Sequence, residues 1–73
     1  MAQERVKSEI TGKVWKILTP EGAAVEEEET LIIIESMKME IPVLAPIAGR
    51  ILEILVKEAQ DVAEGQDVAI IET

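Results

Sequence analysis

Short apolar runs alternate with segments of glycine, proline and charged residues along the whole chain. The runs are rich in valine, isoleucine and leucine, and their composition and length are typical of β-strands. Turn residues mark the boundaries between them. The pattern predicts five strands, which are Gly12–Leu18, Leu31–Glu35, Met39–Leu44, Gly49–Val56 and Val68–Glu72.

A helix over residues 25–39 is the alternative, because this segment is rich in glutamate and isoleucine. Two features argue against it. Leu31–Ile34 is a continuous apolar run without the stripe that a 3.6-residue period gives. Pro42 and Pro46 follow closely and would end a helix. Pro20 and Pro46 also lie outside the predicted strand centres, where a proline removes no ladder hydrogen bond.

The second half of the sequence repeats the first half at an offset of 37 positions. No gap is needed, and the match covers turn positions as well as apolar runs. We therefore interpret the chain as an internal duplication, with repeats at about residues 6–35 and 43–72. The matched pairs include Gly12 with Gly49, Ile17 with Ile54, Glu21 with Glu58, Val25 with Val62 and Ile34 with Ile71.

Neither half is long enough to bury a hydrophobic core by itself. Packed face to face about a pseudo-two-fold axis, the halves would form a small flattened β-sandwich, with residues 1–73 as a single domain. The segment joining the halves is then a hairpin whose tip is Met37-Lys38. This arrangement predicts that Lys38 lies at one pole of the molecule, away from both chain ends.

Composition narrows the possible functions. The chain has 73 residues, too few for a deep catalytic cavity, and Trp15 is its only aromatic residue. It contains no cysteine and no histidine, which excludes disulfides, thiol chemistry, histidine relays and the usual zinc sites. No nucleophile and base can be paired from the remaining residues. We therefore expect a non-catalytic protein without a metal site.

The net charge of −8 predicts poor affinity for phosphate backbones and anionic lipid. We expect neither nucleic acid nor a membrane as a partner. Met1–Ile10 lacks the apolar run of a signal peptide, and no stretch approaches transmembrane length, so we expect a cytoplasmic protein. The acidic run Glu26–Glu29 is interpreted as a solvated turn, with docking of a basic partner as the alternative.

The predicted hairpin tip breaks a local rule. Two-residue hairpin turns favour Asn, Gly or Asp because their backbone needs positive φ, so Met37-Lys38 is a poor choice. A rule broken at an exposed tip suggests that function selected the residues. One alternative is an ordinary surface lysine whose neighbours, Met37 and Met39, pack back onto the sandwich. Two exposed methionines would instead form a flexible apolar patch that a partner recognises.

The residues around the tip resemble a known motif. Residues 35–39, Glu-Ser-Met-Lys-Met, are similar to the attachment motif of biotinyl domains in the biotin carboxyl carrier protein family, where a lysine stands between two methionines. Residues 41–51 resemble the stretch that follows the motif in that family, and residues 62–68 resemble its C-terminal turn. The similarity extends from about residue 6 to residue 72.

This resemblance implies a fold and a set of site residues. The fold would be an all-β barrel-sandwich hybrid of two four-stranded antiparallel sheets. Lys38 would carry covalent biotin. Met37 and Met39 would belong to the surface that partner proteins recognise, and Glu35 and Ser36 would contribute to recognition by the ligase. For Glu35 the alternatives are that it orients the turn or is simply a solvated strand end.

The resemblance also implies a function and partners. A biotin protein ligase would attach biotin, a biotin carboxylase would load it with carboxylate, and a carboxyltransferase would pass the carboxylate from carboxybiotin to an acceptor. The domain would be the carrier component of a biotin-dependent carboxylase, decarboxylase or transcarboxylase.

Two alternatives remain open. One is a lipoyl carrier, or an attachment protein that accepts both cofactors, although lipoyl domains usually have Asp before and Ala after the lysine. The other is a structural module in which Lys38 is unmodified.

Each half departs from the family pattern at one turn glycine. Biotinyl domains commonly carry Gly-Asp-x-Val-x-x-Gly in each half, and here Glu28 and Ala59 each replace one of these glycines. If the two positions need positive φ, each non-glycine residue costs roughly 1 kcal/mol or the turn relaxes. We expect this to alter turn geometry and not the attachment site.

Overall fold

The computed structural model describes residues 2–73, and every regular element in this range is a β-strand. Met1, with which the expected domain begins, lies outside the described residues. The strands form where β-branched and other aliphatic residues can pack on a pleated sheet. They are β1 (Gln3–Lys7), β2 (Gly12–Ile17), β3 (Ala24–Val25), β4 (Thr30–Ser36), β5 (Met39–Leu44), β6 (Gly49–Ile54), β7 (Asp61–Val62) and β8 (Asp67–Glu72).

Two four-stranded antiparallel sheets enclose the core, with strand orders β1-β8-β6-β3 and β5-β4-β2-β7. The expected all-β sandwich of two four-stranded sheets is confirmed. The two halves do not form one sheet each, because each sheet takes two strands from each half. In the first sheet, β1 and β3 pair with β8 and β6 of the second half. In the other sheet, β5 and β7 pair with β4 and β2 of the first half. Each half therefore covers strand edges of the other half that would otherwise lack hydrogen-bond partners.

Five strands lie within two residues of their predicted bounds. The pattern does not predict β1, β3 or β7. In β1 only Val6 is buried among five residues, so the strand has almost no apolar signal. β3 and β7 are two residues long, and each buries one valine, Val25 and Val62 respectively. Strands this short lack a period that could be recognised.

The central strands β4 and β8 supply much of the core. In β4, Leu31, Ile32 and Ile34 are fully buried. A shift of register between Thr30 and Ile32 accommodates burial of the two successive residues Leu31 and Ile32. This irregularity explains why the run shows neither strict alternation nor a helical stripe. The buried core comprises Val6, Val14, Val25, Leu31, Ile32, Ile34, Val43, Ala45, Ile51, Val56, Val62, Val68, Ala69 and Ile71.

Two glycines at equivalent strand starts allow close approach of neighbouring strands. A Cβ on Gly12 would lie 2.5 Å from the carbonyl oxygen of Glu35, and a Cβ on Gly49 would lie 2.6 Å from that of Glu72. Real Cβ atoms essentially never come so close, so a side chain at either position would force the neighbouring strand to shift. The offset of 37 found in the sequence thus recurs in the packing.

The four turn positions that the family pattern assigns to glycine all have positive φ. Gly22 and Ala59 have φ of 88° and 71°, and Glu28 and Gly65 have φ of 71° and 84°. The turns have therefore kept the left-handed conformation although two of the glycines are replaced. Of the two expected outcomes, the structure shows strain at Glu28 and Ala59 and not a relaxed turn.

The first and last described residues meet, with the Thr73 N–H donating to the carbonyl oxygen of Ala2 at 2.9 Å. The strand directions place this contact at the pole opposite the β4–β5 hairpin. The molecule measures 37 × 17 × 17 Å, so the poles are the ends of its long axis.

Across the β1–β8 pair, Asp67 accepts from Lys7 at 2.7 Å and from Arg5 at 3.1 Å. Within residues 2–73 no helix is long and apolar enough to span a bilayer.

Candidate functional site

The hairpin of β4 and β5 ends in the two-residue turn Met37-Lys38, directly above the pair Ser36 and Met39. The φ angles are 49° for Met37 and 66° for Lys38. Both residues lie in the left-handed region, as in a type I′ turn. An unbranched L-residue held there costs about 1 kcal/mol or more relative to glycine. The turn therefore presents its two side chains at a cost in stability.

All three residues at the tip point into solvent. Met37 is 92% exposed and Met39 is 61% exposed, so the methionines do not pack back onto the sandwich. Lys38 is also exposed. Within residues 2–73 its amine takes part in none of the hydrogen bonds or ion pairs. The tip is a solvent-open primary amine bracketed by two apolar, flexible side chains.

The root of the hairpin is fixed to the adjoining strand. The Ser36 hydroxyl donates to the carbonyl oxygen of Thr11 at 2.9 Å, and the Thr11 hydroxyl accepts from the Glu64 N–H at 3.1 Å. Gly12, the next residue, lies against the carbonyl oxygen of Glu35. The turn is thus a short extension of a packed sheet and not a loose loop.

A row of charged residues crosses the outer face of the sheet just below the tip. Asp61, Lys13, Glu35 and Glu40 are successive neighbours on β7, β2, β4 and β5, and all four are exposed. Glu35 and Glu40 stand directly opposite each other, which is unfavourable for stability because like charges repel. Sequence reasoning identified Glu35 but missed Glu40, whose position follows from the hairpin register.

The equivalent row at the other pole is different. It runs through Ala24, Arg50, Glu72 and Gln3 on the corresponding strands. Its formal charge is zero, whereas the row below Lys38 carries −2. The duplication therefore provides two similar frameworks, and only the one that carries the lysine has an acidic row beneath its tip.

The chemistry available at the tip is that of a nucleophilic amine. Among residues 2–73 no group of three or more potential metal ligands comes together. An exposed amine with no neighbour in hydrogen-bonding contact can enter the active site of another enzyme and form an amide there. A carboxylic acid cofactor such as biotin fits this position, because nothing on the turn obstructs the amine or the arm that would extend from it.

Comparison with known proteins agrees with this geometry. The sequence model of the family described as "Biotin-requiring enzyme" matches residues 2–71. The chain is 37% identical over 68 residues to the "Biotinylated protein TB7.3 homolog" of Mycobacterium leprae, covering 93% of this chain and 96% of that protein. It is 40% identical over 70 residues to the urea amidolyase of Saccharomyces cerevisiae, covering 96% of this chain.

Among solved structures, the urea carboxylase of Kluyveromyces lactis superposes with a TM-score of 0.93 at 39% sequence identity over 99% of this chain. The chain spans only 4% of the yeast urea amidolyase and 6% of the carboxylase structure, whereas it spans nearly all of the mycobacterial protein. The matched region is therefore one small part of each large enzyme. The family match and these relatives show that this chain belongs to the biotin- and lipoyl-attachment family, as a biotinyl domain whose cofactor is biotin.

Proposed function

We propose that the Lys38 amine is the point at which biotin is attached, and that the domain carries a carboxyl group between two active sites on other proteins or domains. One observation supports this most directly. Lys38 lies exposed in a two-residue turn with φ of 66°, at the pole remote from the chain ends. Of the lysines in the chain, it alone occupies the motif position between two methionines.

Attachment requires a ligase that supplies an activated biotin. The Lys38 amine, having lost a proton, attacks the carbonyl carbon of biotinyl-adenylate. An amide bond forms, the acyl–phosphate bond breaks and AMP leaves. The reaction removes the positive charge of Lys38. We propose a biotin protein ligase as this partner.

The exposed neighbours of Lys38 form the surface that partners would recognise. Met37 and Met39 offer adaptable apolar contacts on either side of the amine. The carboxylates of Glu35 and Glu40 would complement basic residues of a partner. Ser36 has a different part, because its hydroxyl proton is already donated to Thr11. We assign it to positioning of the turn.

Bound biotin supplies the ureido nitrogen that takes up and releases the carboxyl group. The chain contributes rigidity and reach, because the fixed hairpin root confines the arm to one pole. Tethering of this kind gives an effective concentration on the order of 1 mM at a site the arm can reach. The partners would be a biotin carboxylase and a carboxyltransferase, and the enzyme as a whole would be a biotin-dependent carboxylase or a related decarboxylase or transcarboxylase.

Intact mass after incubation with a biotin protein ligase, biotin and ATP tests the attachment site. The expected result is one biotinyl group per chain, lost in Lys38→Arg and kept in the control Lys57→Arg, which changes another exposed lysine. Lipoate in place of biotin, with a lipoate ligase, tests the alternative carrier. Attachment that survives Lys38→Arg, or an unmodified wild-type chain, would contradict the proposal.

A further inference from the structure

A shallow groove of about 250 Å³ opens beside the root of the hairpin. Trp15 forms one wall, is 43% exposed and lies at a register irregularity of β2, between Val14 and Lys16. The ammonium of Lys16 lies 5.9 Å from the indole centroid, but Lys16 does not line the groove, so the indole surface inside the groove is free. The lining residues are Lys13, Val14, Trp15, Glu35, Glu58 and Ala59.

Two opposite charges in this groove are without partners among residues 2–73. Lys13 and Glu35 are cross-strand neighbours, yet they form no ion pair within 4.0 Å, and neither side chain takes part in a hydrogen bond. Glu58, by contrast, accepts from the Ile17 N–H at 3.2 Å. The groove thus combines an aromatic wall with one free donor group and one free acceptor group.

The duplication offers an internal comparison. The counterpart of Trp15 in the second half is Leu52, which is also 43% exposed and also lies at a register irregularity. The counterpart of Lys13 is Arg50, which donates to the carbonyl oxygen of Gly22 at 2.8 Å. At the pole without the lysine, the equivalent surface is therefore aliphatic and its cation is engaged. Between these two equivalent surfaces, the aromatic wall and the cation without a partner occur only beside Lys38.

The groove is within reach of a group attached to Lys38. Glu35 precedes Lys38 by three residues, and Trp15 lies about one residue farther along the sheet, so strand rise and strand spacing place the groove roughly 10–17 Å from the Lys38 Cα. The chain from that Cα to the ring system of biotin has about eleven bonds of about 1.5 Å, which extend to roughly 14 Å. The arm can therefore bend back along the sheet and place the ring system in the groove.

We propose that this groove is a resting site for the ring system of biotin attached to Lys38, a proposal that rests on the attachment proposed above. The ureido N–H groups would donate to the Glu35 carboxylate, and the ureido oxygen would accept from the Lys13 ammonium. The apolar face of the sulfur ring would pack on Trp15. With an effective concentration on the order of 1 mM, a docking constant of about 1 mM fills the groove half of the time.

Trp15 reports this directly, because the chain has no other tryptophan, tyrosine or phenylalanine. The measurement is acrylamide quenching of Trp15 fluorescence in the unmodified and the biotinylated chain, with the mass of each sample checked first. We expect biotinylation to lower the quenching constant by roughly a quarter to a half, in line with partial occupancy. Lys13→Ala and Glu35→Gln, each biotinylated to completion, should restore the value of the unmodified chain.

The matched control exchanges the two equivalent positions, as Trp15→Leu with Leu52→Trp. The indole then stands on the equivalent surface at the opposite pole, and biotinylation should leave its quenching unchanged. If biotin is attached to Lys38 but quenching of Trp15 does not change, the biotin ring system does not occupy the groove and the docking proposal is overturned. If the mass shows no biotin on Lys38, both the attachment and the docking proposals fail.

Discussion

Replacing Gly12 or Gly49 by alanine places the same methyl group at equivalent points of the two poles. At Gly12 the added Cβ would meet the carbonyl oxygen of Glu35 at 2.5 Å, and at Gly49 that of Glu72 at 2.6 Å. The two variants should therefore lose similar amounts of stability. Only Gly12→Ala pushes on the root of the hairpin that carries Lys38, so only this variant should disturb attachment of biotin.

The size of the stability loss follows from the contacts. Contacts of about 2.5 Å between carbon and oxygen force a strand shift of several tenths of an ångström, and such overpacking costs typically 1–3 kcal/mol. Alanine also lowers the conformational entropy of the unfolded chain relative to glycine, which offsets this loss of stability by about 0.4–1 kcal/mol. The net loss lies between about 0 and 2.6 kcal/mol, and its midpoint of about 1.3 kcal/mol corresponds to a fall in Tm of roughly 5–10 °C in a domain of this size.

The effect on attachment is measured as kcat/KM of a biotin protein ligase, at a temperature at which both variants are folded. Because a misplacement of about 1 Å can cost about a hundredfold in rate, we expect the shift of several tenths of an ångström in Gly12→Ala to lower kcat/KM by roughly tenfold. Gly49→Ala should stay within about twofold of wild type. Equal slowing by both variants, or a wild-type Tm for Gly49→Ala, would refute the close packing at the strand starts and its link to the turn.

Two further predictions concern the rest of the scaffold. Ala59→Gly should raise the free energy of unfolding by about 0.5–1 kcal/mol in denaturant titrations, because the residue has φ of 71° and glycine relieves most of that strain. Gly22→Ala at the equivalent turn should lower the free energy of unfolding. A loss of stability in Ala59→Gly or a gain in Gly22→Ala would contradict the strain argument. The hydrogen bond from Lys7 is the largest cause that holds the pKa of Asp67 below its ordinary value of 3.8. The ionised Asp67 therefore stabilises the fold above that pH, and this stabilisation is lost as the pH falls through the lowered pKa. The difference in Tm between wild type and Asp67→Asn should be constant near neutral pH and vanish in acid. A difference in Tm that persists unchanged at the lowest pH would show that ionised Asp67 is not its source.

Much of the fold could be predicted because apolar runs in this chain coincide with the central strands. The duplication added a second constraint, since Gly12 and Gly49 predict equivalent strand starts. Of the outer strands, β5 was predicted, but β1, β3 and β7 could not be predicted in this way. In β1 a single valine is buried among polar residues, and the exchange of strands between halves depends on pairing across the sheet, which leaves no local trace in the sequence.

The candidate attachment site was proposed from five residues and their place between the repeats, and it remains a prediction. Its surroundings could not be predicted. The opposition of Glu35 and Glu40 and the groove beside Trp15 depend on strand register, which the hairpin turn and the irregularity in β2 set together. The sequence made no prediction for the exposure of Trp15, and the structure shows that its side chain is 43% exposed.

The position of the lysine follows from how the duplicated scaffold is closed. At one pole Ser36 and Met39 are joined by two residues, and at the other the equivalent neighbours, Thr73 and Ala2, are joined by a backbone hydrogen bond. The frameworks below the two poles share strand register, close-packed glycines and positive-φ turns. Within this shared framework, three features distinguish the pole that carries the lysine. These are the strained turn with its amine, the acidic row below it and the aromatic groove beside it. A scaffold with fixed poles can then hold a flexible arm at one end without its motion disturbing the core.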